Sequence, residues 1–256
     1  MASARFKDQA VCIRHLDWSE TSQIVVLLTR EHGKVRGLAK GSKRTSKSSV
    51  QRYSGGIDLL TRGEIVGIIK PTADLATLTE WDLQEPYRHL HLDLNAQWIA
   101  MYAADVSNAL MADHDAHPVM FDEMVLLLES LRDRTKPQAV LARFQWRMLV
   151  DLGYKPEVSV DAASGEELPT AAAYTFDARA GGVTSQPAGL TSPGSGVGPW
   201  RVRRETIEVL RSLADSDECA TDEQALRRAN RLLCVYIRAI LDRPLHTMDY
   251  ILEGSD

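Results

Sequence analysis

Between Arg30 and Arg52 the chain sets eight cations, Arg30, Lys34, Arg36, Lys40, Lys43, Arg44, Lys47 and Arg52, against one acidic residue, Glu31. Cations at that density suit phosphate. The run Gly41-Ser42-Lys43-Arg44-Thr45-Ser46-Lys47-Ser48-Ser49 reads as a flexible loop that adds hydroxyls and backbone amides. Such groups hold a nucleic-acid backbone without reading its sequence. A single strand also needs aromatic faces for its bases. Trp18, Tyr53 and Trp81 are the candidates in this half, and Tyr53, next to Arg52, is the one expected at the surface. The plainer reading of the basic run is a solvated loop with no ligand.

Other chemistries find less support. A phosphate-wrapping nucleotide loop needs GxxxxGK followed by Ser or Thr, and neither Gly33 nor Gly37 has a Gly-Lys pair at that spacing. Asp113-His114-Asp115-Ala116-His117 is the most metal-like cluster, yet it lies beside Pro118 between two expected helices, where Asp and His commonly cap and turn. His89 and His91 flank Leu90 and point in different directions on a helix. No GxSxG elbow and no HExxH pair occurs. Cys12, Cys219 and Cys234 are too far apart for a metal half-site and odd in number, which favours buried free thiols over a disulfide framework. No catalytic residue and no metal ligand is therefore assigned.

The elements that must carry the basic run change character along the chain. From Gln9 to about Trp81, short Val-, Ile-, Leu- and Thr-rich runs alternate with Gly and polar breaks, which is a strand pattern. The expected strands are Ala10 to His15, Gln23 to Arg30, Lys34 to Ala39, Ile57 to Thr61, Glu64 to Lys70 and Ala76 to Trp81. A meander of that length closes most economically into a small barrel, because closure leaves no unpaired edge. Arg36 and Lys40 then share a strand face. After Pro86 the spacing turns helical, with Leu90 to Leu110, Phe121 to Arg132, Gln138 to Leu152, Arg204 to Leu213 and Asp222 to Leu241 as helices. The stretch from Tyr154 to Trp200 is polar and broken, with Ala173 to Asp177 as a short strand.

The fold class is therefore α+β in two domains: an OB-fold barrel over residues 1–82 and a helical domain over 83–256, the latter interrupted by an irregular insertion at about 154–203. Charge follows the same division. The overall charge of -5 combines +7 over residues 1–70, from 13 basic and 6 acidic side chains, with -12 over the rest. The longest apolar runs, Ile24 to Leu28 and Met124 to Leu128, fall far short of the roughly 20 residues that span a bilayer, and no apolar signal region follows Met1 to Lys7. A cytoplasmic protein is expected.

Several strings place these features in a known order. Val11-Cys12-Ile13-Arg14, Trp18-Ser19-Glu20-Thr21-Ser22-Gln23-Ile24-Val25, Leu28-Thr29-Arg30-Glu31-His32-Gly33-Lys34 and Gly37-Leu38-Ala39-Lys40-Gly41 with Lys43, Arg44 and Ser48 resemble the first strands and basic segment of the RecO family. Leu78-Thr79-Glu80 is similar to its barrel exit. Arg143-Phe144-Gln145-Trp146-Arg147-Met148-Leu149, Gly153-Tyr154-Lys155-Pro156 and Asp242-Arg243-Pro244-Leu245-His246-Thr247-Met248 are similar to its later helix, loop and close.

The resemblance implies a non-enzymatic recombination mediator in DNA repair. Such a protein binds single- and double-stranded DNA through the OB domain, anneals complementary strands and helps load the recombinase on DNA coated with single-strand-binding protein. Its partners would be RecR and the acidic C-terminal tail of the single-strand-binding protein, with the recombinase engaged indirectly and no membrane, and it would associate with the nucleoid. Many members of the family carry a four-cysteine zinc module after the Gly-Tyr segment. Here Asp161, Ser164, Ser185 and Ala188 occupy the cysteine positions, so no zinc and no other cofactor is expected. Two alternatives stay distinct: an RNA-binding OB protein, which would prefer RNA through its 2'-hydroxyls, and a metal-dependent hydrolase that would lose activity on His114→Ala or His117→Ala.

Overall fold

Five strands form where apolar residues alternate over seven residues or more: β1 (Ala4–Ser19), β2 (Ser22–Thr29), β3 (Gly33–Ala39), β4 (Arg62–Ile69) and β5 (Ala76–Glu85). The computed structural model in which they are seen describes residues 4–70, 73–185, 199–215 and 222–253. The strands close into a barrel in the order β1-β2-β3-β5-β4, with β1 antiparallel to β4 and β3 parallel to β5. This is the five-stranded OB arrangement. Phe6, Ala10, Cys12, Val25, Leu27, Val35, Ile65, Leu78 and Trp81 fill its interior. Burial in that apolar surrounding pushes the Cys12 thiol up to about 12, so it stays a protonated packing group.

Ile57 to Thr61, expected as a strand, is not one. Ile57 and Leu60 are buried, but Leu60 takes a left-handed φ of 58° and the segment makes no continuous ladder. The Ile57 N–H donates to Gln23 Oε1 at 3.1 Å and the Leu60 N–H to the Cys12 carbonyl at 2.8 Å. The segment plugs the barrel instead of extending it. The Gly41–Ser49 stretch is not the flexible loop expected either, since it runs into helix α1 (Lys47–Tyr53).

Two compact units divide the chain, Met1–Arg132 and Asp133–Asp256. The first adds α2 (Leu94–Leu110) and α3 (Pro118–Ser130) to the barrel, and both pack on β1. At the β2–β3 turn, Gly33 has φ +67°, and a Cβ there would lie 2.0 Å from the Asp115 carbonyl oxygen, so only glycine fits.

The second unit contains α4 (Pro137–Asp151), α5 (Arg204–Asp215), α6 (Glu223–Leu241) and α7 (His246–Glu253). Asp222 caps α6 by accepting the N–H groups of Gln224 and Ala225. Buried Gln145 donates to Asn230 Oδ1 at 2.8 Å, which fixes the register of α4 against α6. The segment expected to be irregular builds a three-stranded antiparallel sheet, in the order β7-β6-β8, from β6 (Ala173–Asp177), β7 (Gly182–Thr184) and β8 (Trp200–Arg203). Only β6 is long enough to show in the sequence. Among the described residues no helix is long and apolar enough to cross a membrane.

Candidate nucleic-acid interface

A bulge in β1 determines which cations share a face. Cys12 pairs with Leu27 inside the barrel, and the register then shifts at Ile13 so that Arg14 pairs with Val26. Strict alternation would send Arg14 inward with Cys12, whereas the bulge turns it outward. Val26 also pairs with Arg36, so Arg14, Val26 and Arg36 form one rung of the outer face. Leu16, Ile24 and Leu38 form the next rung, and Leu16 is 61% exposed. Trp18, 64% exposed, lies close to the hairpin tip.

The basic segment folds against that tip and is held there from below. Ser42 donates to Gln23 Oε1 at 2.9 Å, Gln23 Nε2 donates to the Ile57 carbonyl at 3.2 Å, and the Gly41 N–H donates to Ser22 Oγ at 3.1 Å. Ser49 Oγ donates to the Gly41 carbonyl. The Lys43 N–H reaches the Thr21 carbonyl at 3.1 Å, and Lys43 Nζ lies 2.8 Å from Asp17 Oδ2. That hydrogen bond draws the Asp17 carboxyl below its ordinary pKa. Ser42 and Gln23 are buried while Lys40, Lys43, Arg44 and Lys47 face solvent, so the backbone is ordered and the cations are presented. Among the described residues Arg14, Arg36, Lys40, Arg44 and Lys47 make no ion pair.

The remaining candidates go elsewhere. Arg30 is neutralised by a two-pronged pair to Asp122 on α3, at 3.1 and 3.0 Å, and by Glu31 at 2.9 Å. Lys34 is 9% exposed; its Nζ donates to the Asn108 carbonyl at 2.8 Å and lies 3.2 Å from Asp113. Both lie at the opposite end of β3 from Lys40 and tie helices to the barrel. Arg52 is exposed on α1 and its guanidinium sits 5.7 Å from the Tyr53 ring.

Tyr53 is not the exposed stacker expected from its neighbour. It is 2% exposed, its hydroxyl donates to the Leu78 carbonyl at 2.9 Å, and burial raises its pKa. Trp81 is likewise core, which leaves Trp18 as the aromatic at the basic end. Arg14 lay outside the basic run and was missed, because its outward face depends on the bulge.

The Asp113 to His117 segment is used for docking. The His114 N–H donates to the Lys34 carbonyl at 3.0 Å, and His117 Nε2 lies 3.3 Å from Asp115. Among the described residues no group of three or more His, Cys, Asp or Glu side chains could hold a metal ion.

The second unit has a surface of its own. A pocket of about 330 Å³ is lined by Trp200, Val202, Leu232 and Val235, and by four arginines, Arg201, Arg203, Arg228 and Arg231. Thr206 also lines it, and its Oγ1 is buried with no hydrogen-bond partner among the described residues. Such a pocket suits an anionic ligand with an apolar end.

Comparison with known proteins agrees with this geometry. Residues 1–87 match the family model described as recombination protein O N terminal, and residues 91–249 match recombination protein O C terminal. The DNA repair protein RecO of Myxococcus xanthus is 25% identical over 252 residues, covering 97% of this chain and 98% of that protein. The DNA repair protein RecO of Geobacter metallireducens is 30% identical over 249 residues, with 96% of each chain covered. Two family models in chain order, full-length relatives and an OB barrel followed by helices show that this chain belongs to the RecO family of DNA repair and recombination proteins.

Proposed function

We propose that the chain binds single- and double-stranded DNA at the barrel end that presents Arg14, Arg36, Lys40, Arg44 and Lys47. There it anneals complementary strands and helps load the recombinase on DNA coated with single-strand-binding protein. The observation that carries this reading is the set of exposed, unpaired cations at the end of the barrel that also exposes Trp18. Annealing requires that two repelling backbones be neutralised while their bases stay free to pair. Cations on an ordered backbone supply the first condition, and a single sequence-tolerant stacking face preserves the second. No bond is made or broken, so the activity needs no catalytic group. RecR is the protein partner expected alongside DNA. The arginine-lined pocket of the second unit suits the acidic tail of the single-strand-binding protein, since guanidinium groups pair with carboxylates while Trp200 and Leu232 accept an apolar end.

The test is salt-dependent binding of a fluorescent single-stranded oligonucleotide, with annealing followed in parallel. An Arg36→Ala, Lys40→Ala, Arg44→Ala, Lys47→Ala variant should flatten the log-log salt slope by about 3, at roughly 0.7 per single-strand phosphate contact, and slow annealing. An Arg30→Ala variant should keep the wild-type slope, because that side chain is already paired. Unchanged slope and annealing in a folded quadruple variant would remove this face from the mechanism.

A further inference from the structure

The segment between α4 and β6 has to hold its turns together without a helix of its own. Asp161 is at the centre of it, 3% exposed. Its Oδ1 accepts the N–H groups of Ala163 at 2.8 Å and Ser164 at 3.0 Å, and its Oδ2 accepts the Ser185 N–H at 2.6 Å. Backbone bonds complete the turn: Asp161 N–H to the Glu166 carbonyl at 2.8 Å, Gly165 N–H to the Asp161 carbonyl at 2.7 Å, and Ala162 N–H to the Val183 carbonyl at 2.8 Å. One carboxylate thus joins two turns that are 24 residues apart in sequence.

These are the positions at which the family resemblance sets zinc-binding cysteines, apart from Ala188, which lies outside the described residues. The residues present do not fit zinc. Ser164 and Ser185 offer neutral hydroxyls in place of thiolates, and both Asp161 oxygens already accept backbone N–H groups. We infer that the Asp161 carboxylate is itself the cross-link of this module, replacing a metal with three charge-assisted hydrogen bonds to two separate turns. Ser185 directly follows β7, β7 pairs with β6, and β6 pairs with β8. The carboxylate therefore acts as a positioning group for Trp200, Arg201 and Arg203 on the pocket wall, and the module folds without metal.

Amide-resolved hydrogen exchange on the full chain tests this, with and without EDTA. In the wild type the Ala163, Ser164 and Ser185 amides should be protected equally in both conditions. Asp161→Ala should speed exchange at all three by about tenfold or more, the scale of losing a hydrogen bond to a charged group, while β2 amides keep their protection. Asp161→Asn should separate the two turns: its amide oxygen still accepts from Ala163 and Ser164, but its NH2 faces the Ser185 N–H, so Ser185 alone loses protection. If Asp161→Ala unfolds the whole chain, as the β2 amides would report, the Asn variant decides. Protection that EDTA removes from the wild type, or that survives at all three amides in either folded variant, overturns the inference.

Discussion

Truncating Trp18 removes an indole already in contact with solvent, whereas truncating Tyr53 opens a hole in a packed barrel. Trp18→Ala should therefore weaken single-strand binding by about 1–3 kcal/mol, the worth of one stacked base, with little change in melting temperature. Tyr53→Ala should cost about 3–5 kcal/mol of stability and strand the Leu78 carbonyl, which a denaturant titration would register. Equal loss of binding in both variants, each measured where it is folded, would contradict the assignment of Trp18. Adjacency to Arg52 suggested an exposed Tyr53, but consecutive residues on a helix point about 100° apart. With Arg52 in solvent, Tyr53 turns into the core. The helix that produces this divergence has only seven residues, too few to show a period in a Ser- and Lys-rich run.

Elements differ in how far they can be read without their partners. The barrel strands carry their burial pattern over seven to sixteen residues, and their alternation is legible. β7 and β8 have three and four residues and exist because β6 lies between them, so no local signal marks them. Ile57 to Thr61 shows the opposite failure, an apolar run that packs without forming a strand. The bulge at Ile13 belongs to the same class, since it is defined only by the register of β1 on β2. One element-scale prediction concerns α6, which brings Arg228 and Arg231 to the pocket wall. Arg228→Glu with Arg231→Glu should abolish capture of a fluorescent acidic peptide with an apolar C-terminus. The single-strand salt slope should stay at its wild-type value. A peptide that still binds this variant would locate the tail elsewhere.

For the whole molecule, net charge conceals local function in both directions. The part of the chain that sums to -12 contains the four-arginine pocket, and in the part that sums to +7 two cations of the basic run, Arg30 and Lys34, are occupied by internal carboxylates. Composition locates the basic run, while the pairing of each cation depends on its neighbours in the fold. Lys43 is the intermediate case, exposed yet paired to Asp17. Before DNA arrives, the protein supplies this lysine's counterion from its own chain. A phosphate has to displace Asp17 to reach this lysine, so with Asp17 in place the Lys43 contact adds less than a full contact to the affinity and to the salt slope. Asp17→Asn should therefore make single-strand binding steeper in salt by up to about 0.7, and tighter at low salt, with the increment absent when Lys43 is also alanine. A tethered carboxylate of this kind leaves the strand a competitor that is always present at the site, which favours release once annealing is complete.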